Sequence, residues 1–524
     1  MVATGPRRAP WLTLSRATGI VLALALLWRL VRYLLAFPLW SDEAFVAVNF
    51  LTRDLAGLSR PLDFDQIVPP GFLWAEWAAT HVLGTGERAL RLVPFLAGAV
   101  SLLIFARFSR QVATRRTALL AVALFAVSIY PARHGNEVKQ YATDLLVATT
   151  LVALGWHVAR SPASDRRWLA LIATATAGVW LSYPAVFPAA GVWTFLACQP
   201  DAWRPTRSRA YLLAFAALLG MSFAAVVITF AGPQGRAAAW LAGSVTWRSA
   251  FPPLEAPWRL PFWLLDIHAG NMLAYPYGAH HFGSTATLLV VLLGARSVWR
   301  HRQRRSLLIL LLSPLPFALL ASALHRYPYG TSVRVTIYMA PAFCLLAGEG
   351  LVSFLHRVRW RRSGPLLLAG CLAVIPVVSM AMDVATPYRR KDDVRHRQIV
   401  RDLAARTAPG DRWIVFDGAT PLPPHAPELM VTQWIQRVAE MRFYFLSLAP
   451  VPVHAMPDPS TIAPLQSGRT WLLLHHHGNK TFYPHAQRDA YHAAILARLG
   501  PPDEISFLDK IDDQESLAIL RFPH

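Results

Sequence analysis

Residues 14–43 read LSRATGIVLALALLWRLVRYLLAFPLWSDE, an apolar run that ends directly in a pair of carboxylates. The run at 14–37 is long enough to cross the hydrocarbon core of a bilayer as a helix. Asp42 and Glu43 follow where that helix would meet water. A carboxylate at mid-bilayer costs about 2.5–3.5 kcal/mol, and charges inside membrane proteins usually mark a functional path. The stretch therefore predicts a membrane protein with chemistry at one membrane surface.

The composition indicates the same class along the whole chain. Of 524 residues, 54% are hydrophobic and only 15% are charged, and the mean hydropathy is positive. Apolar runs of about 18 or more residues, the signature of membrane-spanning helices, recur over most of the length. We predict eleven such helices, near 14–37, 89–108, 116–133, 136–159, 166–182, 183–199, 208–231, 284–300, 306–324, 335–355 and 364–384.

The formal net charge of +21 reflects topology, and we exclude nucleic acid as a partner. Arginines concentrate in alternate short loops, which the positive-inside rule places in the cytoplasm, with contact to anionic membrane lipids as a secondary benefit. The N-terminus is then cytoplasmic, whereas Asp42, Glu43 and the segment from Tyr388 lie outside. The clusters are Arg7 and Arg8; Arg107 to Arg116; Arg160, Arg166 and Arg167; Arg204, Arg207 and Arg209; Arg300 to Arg305; and Arg357 to Arg362.

The predicted outer loops collect the unusual polar residues. The long loop 38–88 holds both acidic pairs, Asp42-Glu43 and Asp63-Phe64-Asp65. A second, short loop leads into Glu137, Tyr141 and Asp144, whose spacing by four and three would place them on one helical face. That face is a predicted cavity wall. Further along, residues 325–330 and Arg334 bring cations to the same side.

Four of these segments resemble glycosyltransferases of the GT-C class. They are Trp40-Ser41-Asp42-Glu43, Pro69-Pro70-Gly71-Phe72, Glu87-Arg88-Ala89-Leu90-Arg91 and Glu137-Val138-Lys139-Gln140-Tyr141. The nearest branch is similar to glycosyltransferase family 39, which includes protein O-mannosyltransferases and bacterial lipid A aminoarabinose transferases. The resemblance covers about residues 14–350, with Tyr327-Pro328-Tyr329 and Arg334 matching a late loop. It implies a polytopic α-helical, GT-C-like domain over 1–387. We expect this domain in a cell membrane, namely a bacterial inner membrane.

The resemblance also implies a reaction and a site. A polyprenyl-phosphate-linked sugar donor reaches an extracytoplasmic cavity, and the sugar passes with inversion to a lipid, polysaccharide or protein acceptor. Asp42 is implied as the general base, with Glu43 beside it in a binding or orienting role that Glu137 shares. Lys139 is the leading candidate for the donor phosphate, with Arg334 or Arg326 beside it. Tyr141 and Tyr327 complete the predicted substrate-binding set. The family often has an arginine where Lys139 stands, and lysine lacks the bidentate fork of arginine.

Each candidate residue also has a purely structural interpretation. Asp42 and Glu43 could cap a short interfacial helix, Lys139 could pair with Glu137, and Arg334 could mark an interface. Asp63 and Asp65 could hold a divalent cation, as in oligosaccharyltransferases of the same class. The metal-independent branch matches better, so we predict no cofactor and no metal site. Three cysteines, Cys198, Cys344 and Cys371, all fall in predicted spans without metal-type spacing.

Residues 388–524 predict a small extracytoplasmic α/β domain. After the hydrophilic linker at Tyr388, the pattern predicts a helix near 393–407, strands at 413–416 and 471–474, a helix near 485–499, and strands near 504–508 and 516–521. His475-His476-His477 invites a metal interpretation, but neighbouring strand residues face opposite sides. We expect those histidines in a loop at the strand end. The domain would position an acceptor or cover the cavity.

Two other functional classes remain open at this stage. A polyprenyl-lipid flippase or transporter would be non-enzymatic, although such proteins tend to carry internal repeats and mid-span charges. An O-antigen ligase- or polymerase-like enzyme also uses lipid-linked sugars, but places its key residues in a late outer loop. The sequence names neither the sugar nor the acceptor, since fold analogy does not fix a substrate.

Overall fold

The computed structural model of the protein describes most of the chain. It covers residues 14–203, 206–239, 247–276, 282–357, 363–387, 391–416, 443–444, 446–448, 451–455, 457–477, 485–512 and 515–523. The predicted basic cluster at Arg7 and Arg8 and the start of the linker at Tyr388 lie outside these ranges.

The chain up to residue 385 is helical. Its first helices are α1 (Leu14–Leu35), α2 (Ser41–Thr52), α3 (Pro70–Leu83), α4 (Glu87–Leu90), α5 (Leu92–Val112), α6 (Arg115–Val127), α7 (Ile129–His134), α8 (Tyr141–Arg160), α9 (Asp165–Leu181) and α10 (Val186–Ala197). The series continues with α11 (Pro200–Trp203), α12 (Thr206–Val226), α13 (Gly232–Ala237), α14 (Leu260–Ala269), α15 (Gly283–Arg300), α16 (Arg305–Leu312), α17 (Pro314–Ala323), α18 (Ala340–Arg357) and α19 (Ser363–Ala385).

Within the described residues, six helical segments are long and apolar enough to cross a membrane, so the protein is a multi-pass membrane protein. They are Leu14–Leu35, Glu87–Val112, Tyr141–Arg160, Thr206–Ala237, Arg302–Ala323 and Val333–Arg357. The other predicted spans coincide with α6 and α7, α9, α10, α15 and α19, which are helical but shorter or less apolar. The total of eleven spans therefore stays a prediction.

Two helices of the bundle touch backbone to backbone. Gly294 of α15 faces Gly350 of α18, and a Cβ built at Gly350 would overlap the carbonyl oxygen of Val290. Small residues at a helix crossing allow this close approach, on which helix association in lipid depends because no hydrophobic driving force acts there. The α15–α18 crossing therefore requires glycine at residue 350.

A small mixed sheet follows the helices. After α20 (Lys391–Arg406), the strands are β1 (Arg412–Phe416), β2 (Val453–Ala455), β3 (Thr470–His477), β4 (Glu504–Asp512) and β5 (Glu515–Phe522), with α21 (His485–Leu499) between β3 and β4. The strand order is β2-β1-β3-β5-β4. β1 pairs in parallel with β2 and β3, and β5 is antiparallel to β3 and β4. The predicted α/β character is thus present, and β2 is a strand that the pattern did not reveal.

The expected loop at His475-His476-His477 is wrong. These residues continue β3, with His475 opposite Leu517 and His477 opposite Glu515. The backbone pairing extends because β5 is long enough to offer partners beyond the apolar part of β3.

The sheet domain packs directly against α2. Successive residues of a strand face opposite sides, and Trp413, Trp471 and Leu473 on one side join an apolar cluster with Val46 and Phe50 of α2. The opposite side packs on α21 through a separate cluster. The helix that carries Asp42 and Glu43 is therefore covered by the C-terminal domain.

Two polar contacts also join the domain to the turn between α1 and α2. The hydroxyl of Tyr444 accepts a hydrogen bond from the backbone N–H of Leu39 at 2.7 Å. Arg397 of α20 donates to the carbonyl oxygen of Ala36 at 3.0 Å and to Glu87 Oε1 at 2.9 Å. Ala36 has a positive φ of 47°, a conformation that costs a non-glycine residue energy. The turn is thus held by contacts from the far end of the chain.

Replacing Gly350 by alanine should destabilise the helix bundle by about 1–3 kcal/mol, the usual cost of overpacking. The added methyl group cannot fit between α15 and α18 unless the two helices separate. Thermal unfolding of the purified protein in detergent would measure the loss.

The control for this substitution is Gly220→Ala in α12, where a Cβ would meet no atom within 4 Å. It should leave the unfolding temperature unchanged or slightly raised, because alanine favours the helix. Equal losses in the two variants would contradict the close crossing.

Candidate active site

Asp42 lies in the first turn of α2. Trp40 is the residue before that helix, and the Glu43 side chain accepts the backbone N–H of Trp40 at 3.3 Å, as a capping glutamate does. Negative side chains are stabilised at a helix N-terminus by the helix dipole. The sequence Ser41-Asp42-Glu43 thus begins the helix and at the same time directs two carboxylates to different surroundings.

The Asp42 carboxylate joins two cations from distant parts of the chain. Its Oδ1 lies 3.1 Å from Lys139 Nζ, and its Oδ2 lies 2.9 Å from Arg334 Nη1. Lys139 is almost fully buried, with 4% of its side chain exposed, whereas 19% of the Asp42 side chain remains accessible. The three predicted residues therefore form one cluster, in which Asp42 and Arg334, with 24% of its side chain exposed, remain partly accessible.

The two cations control the ionisation of Asp42. Burial alone would raise the pKa of Asp42, but the nearby charges of Lys139 and Arg334 and a hydrogen bond from Lys139 outweigh it and lower the pKa below its ordinary value. Burial and the proximity of Arg334 lower the pKa of Lys139, and Asp42 opposes that shift. Asp42 is consequently a carboxylate at neutral pH.

Lys139 is held by the loop between α2 and α3. Its ammonium donates to Gln66 Oε1 at 2.7 Å, and Gln66 Nε2 in turn donates to the carbonyl oxygen of Phe64. Phe64 and Asp65 have positive φ values of 59° and 50°, which cost energy for side chains of this kind. Strained backbone of this type often accompanies functional sites, and here it directs Gln66 toward the ammonium.

Arg334 belongs to a 3-10 stretch, Val333–Met339, that precedes α18. Its guanidinium lies over the ring of Trp247, 5.2 Å from the centroid, and faces the Tyr141 hydroxyl. An aromatic face attracts a cation. Arg334 is therefore oriented by an aromatic ring, by Tyr141 and by Asp42 together.

Glu43 is in a different environment from Asp42. Only 1% of its side chain is exposed, and it forms an ion pair with the buried Arg91. Arg91 Nε donates to Glu43 Oε1 at 2.8 Å and Arg91 Nη2 donates to Oε2 at 2.6 Å. The backbone N–H of Val138 also donates to Oε1, at 2.9 Å. Adjacent carboxylates thus have distinct partners.

The prediction that Glu137 shares a helical face with Tyr141 and Asp144 is wrong. α8 begins only at Tyr141, so Glu137 lies in the bend before it. Glu137 instead accepts from Arg133 Nε at 2.6 Å and lies 2.7 Å from His134 Nδ1. The turn at Gly135 and Asn136 and the pairing of the Val138 N–H with a side chain replace the helical hydrogen bonds expected there.

The remaining predicted binding residues lie apart from the cluster. Tyr327 donates its hydroxyl proton to the carbonyl oxygen of Val335 at 2.8 Å and packs edge-on against Phe187. This hydrogen bond holds the 3-10 stretch that contains Arg334. Arg326 is exposed, and no ion pair joins it to Asp42 in the part of the chain that the structure describes. Of the two arginines considered, Arg334 is the one at Asp42.

Asp63 forms an ion pair with the side chain of Arg53. Its Oδ1 lies 2.5 Å from Arg53 Nη2, and its backbone N–H donates to Asn49. Among the described residues, no group of three or more His, Cys, Asp or Glu side chains is arranged to hold a metal ion.

Two residues of the site had no role in the sequence interpretation. Arg91 lies inside a quoted motif and Gln66 directly follows Asp65, yet their partners, Glu43 and Lys139, are 48 and 73 residues away. A basic residue beside an apolar run is explained by the orientation of the helix in the membrane. A glutamine in a loop belongs to no helical or strand periodicity that would indicate its partner. Only the folded chain reveals their contacts.

The chain is similar to one protein family and to several solved structures. A family model described as dolichyl-phosphate-mannose-protein mannosyltransferase matches residues 67–230. No curated protein sequence matches the chain. Among solved structures, the chain is similar to ArnT from Cupriavidus metallidurans bound to undecaprenyl phosphate, with a TM-score of 0.57 and 11% identity over 96% of this chain and 97% of that chain. It is also similar to the apo oligosaccharyltransferase of Archaeoglobus fulgidus, with a TM-score of 0.48 and 13% identity over 81% of this chain and 64% of that chain.

The likeness to ArnT extends over nearly the whole of both chains, and at this identity it establishes the fold. The family match adds a sequence relationship over the part that holds α3 to α12 and Lys139. The resemblance predicted from the four motifs is therefore confirmed: the protein has the fold of GT-C membrane glycosyltransferases and resembles their dolichyl-phosphate-mannose-protein mannosyltransferase family.

Proposed function

We propose that the protein is an inverting glycosyltransferase that moves a sugar from a polyprenyl-phosphate donor to a hydroxyl-bearing acceptor, with Asp42 as general base. The observation that carries the proposal is the position of Asp42 between Lys139 and Arg334. A carboxylate for proton transfer and two cations for a phosphate are the groups this reaction needs. The ArnT structure was determined with undecaprenyl phosphate, a lipid phosphate of the class we propose for this protein.

The reaction balances with these groups alone. Asp42 takes the proton from the acceptor hydroxyl, and the acceptor oxygen attacks the anomeric carbon from the side opposite the phosphate. The bond between that carbon and the phosphate oxygen breaks, and the polyprenyl phosphate leaves as an anion. Lys139 and Arg334 stabilise the negative charge that grows on the phosphate. The leaving group needs no proton, so one carboxylate is sufficient.

Donor binding would also adjust the base. When the phosphate engages Lys139 and Arg334, its own charge stands beside Asp42 and the cations are shared. Both changes raise the pKa of Asp42, because a neighbouring anion disfavours a second negative charge. A base that is weak in the free enzyme becomes stronger once the donor is in place.

The proposed location is the extracytoplasmic face of a bacterial inner membrane. Arginine clusters in alternate loops support a cytoplasmic N-terminus. Asp42 and the C-terminal domain are at the same end of the bundle, since Tyr444 contacts Leu39. The domain would then lie outside with the site and cover it, as predicted from the sequence.

The substitution Asp42→Asn should lower sugar transfer by about 100- to 10,000-fold, the usual contribution of positioned proton transfer. Asparagine preserves the shape of the side chain but cannot accept the acceptor proton. The measurement is transfer from a polyprenyl-phosphate sugar by the purified protein, together with its abundance in membranes. Normal transfer by the variant would contradict Asp42 as the base and favour the O-antigen ligase-like alternative, whereas no transfer by the unmodified protein would favour a flippase or transporter.

Asp383→Asn provides a matched control for this loss. Asp383 is a carboxylate of similar exposure, 15%, that forms an ion pair with Arg32. Its replacement breaks a carboxylate–arginine contact that includes neither Asp42 nor its two cations and should leave the turnover near that of the unmodified protein. A comparable loss would show that breaking any such ion pair is enough.

In a Lys139→Gln variant, the acid limb of the residual activity should move to higher pH. Burial still raises the pKa of Asp42, but the most effective opposing charge is gone. The pH dependence of kcat/KM reports groups of the free enzyme, so this is the measurement to make. Arg236→Gln, which removes an exposed cation, should leave the limb in place. An unmoved limb in the Lys139 variant would contradict its assignment to Asp42.

Deletion of the protein in its native host should leave its donor unspent. We expect one polyprenyl-phosphate-linked sugar to accumulate and one glycan of the cell envelope to disappear. Mass spectrometry of the lipid-linked sugar pool and of the envelope glycans would identify donor and acceptor together. Unchanged pools and glycans would count against transfer from a lipid-linked sugar.

A further inference from the structure

One carboxylate contacts both segments that carry the proposed catalytic groups. Glu43 is the residue directly after Asp42, and its Oε1 accepts the backbone N–H of Val138, the residue directly before Lys139. Consecutive Cα atoms are only about 3.8 Å apart. Asp42 is therefore the neighbour of the residue that carries this carboxylate, and Lys139 is the neighbour of a residue that the carboxylate binds.

Arg91 fixes that carboxylate from behind. Its guanidinium forms two hydrogen bonds to Glu43, one to each oxygen, at 2.8 and 2.6 Å. Its remaining donors contact the carbonyl oxygens of Phe37 and Pro38, at the end of the turn from α1. A bidentate arginine restricts the carboxylate in direction as well as in distance. The pair thus connects the turn after α1, the start of α2, the residue before α5 and the bend that carries Lys139.

Burial excludes a direct chemical role for Glu43. Its side chain is 1% exposed and that of Arg91 is 4% exposed, so an acceptor could not reach the carboxylate. Both Glu43 oxygens already accept hydrogen bonds from the protein. We infer that Glu43 and Arg91 are positioning residues, whose ion pair sets the separation of Asp42 and Lys139. The inference rests on the proposed function of Asp42 and Lys139.

The charge of Glu43 is essential to this role. A glutamine could accept through one oxygen only, and its NH2 group would face either Arg91 Nη2 and the N–H of Trp40 or Arg91 Nε and the N–H of Val138. One hydrogen bond from Arg91 is lost in both orientations, and the hydrogen bond from Val138 is lost in the second. With Val138 released, Lys139 would move away from Asp42, and the pKa of Asp42 would rise.

The test compares Glu43→Gln and Arg91→Lys in the full-length protein. Lysine retains the positive charge of Arg91 but not the two parallel hydrogen bonds. We expect both variants to lower kcat by at least about tenfold, up to the about 100- to 10,000-fold that positioned proton transfer contributes, and to move the acid limb of kcat/KM to higher pH, as in Lys139→Gln. Arg91→Lys keeps the test available if Glu43→Gln does not fold.

Glu349→Gln is the matched control. Glu349 is also a largely buried glutamate in a bidentate pair with an arginine, Arg304, at 3.1 and 3.2 Å, with Thr117 and Ser297 as further donors. Glu349 lies in α18 and Arg304 directly before α16, and Thr117, near the start of α6, places the pair toward the other end of the bundle. Its loss should lower the unfolding temperature by an amount similar to that of Glu43→Gln and leave kcat and the acid limb unchanged.

Three outcomes separate the possibilities. A normal kcat and acid limb in Glu43→Gln and Arg91→Lys, with Asp42→Asn inactive, would overturn this inference and leave the proposed function standing. The same displaced limb in Glu349→Gln would overturn it too, because the effect would then be one of general stability. Full activity of Asp42→Asn would overturn the proposed function itself.

Discussion

The rest of the site depends on one carboxylate that lies between two cations and forms an ion pair with each. Lys139 and Arg334 could not share this region without Asp42, because unpaired charges away from water are costly. The requirement brings together the start of α2, the bend before α8 and the stretch before α18, which are about 100 and 200 residues apart in the chain. The Glu43–Arg91 pair applies the same rule one layer deeper. This end of the bundle is therefore organised by charge pairs, whereas the crossing of α15 and α18 depends on the close approach of Gly294 and Gly350.

Sequence reasoning was strongest where a local pattern decides the outcome. Apolar runs predicted the helices of the bundle, the arginine-rich loops placed Asp42 and Arg334 on one side of the membrane, and the family resemblance implied that they meet Lys139. It failed where a tertiary contact competes with a local preference. Glu137 fits a helical face by spacing, but the Val138 N–H bonds to Glu43 and the helix starts four residues later. Arg91 and Gln66 looked ordinary because their partners are far along the chain, and the three histidines after Leu474 were assigned to a loop because the length of β5 could not be known.

The two adjacent acids show how burial separates residues that look equivalent in sequence. Asp42 keeps an accessible side and is paired on the other, which suits a group that exchanges protons. Glu43 is enclosed and fully hydrogen-bonded, which suits a group that must not move. Their division follows from the helix itself, because consecutive residues of a helix turn about 100° and cannot face the same surroundings.

The covering of α2 by the C-terminal domain has a consequence for biosynthesis. Chains are made from the N-terminus, and early domains begin to fold while later ones are still being synthesised. Until residues 391–519 exist, the apolar cluster of α2 lacks its C-terminal members, the Leu39 N–H lacks the Tyr444 hydroxyl, and the Ala36 carbonyl lacks Arg397. The turn that presents Asp42 therefore reaches its final form only near the end of translation, and a truncated chain inserts into the membrane without a finished site.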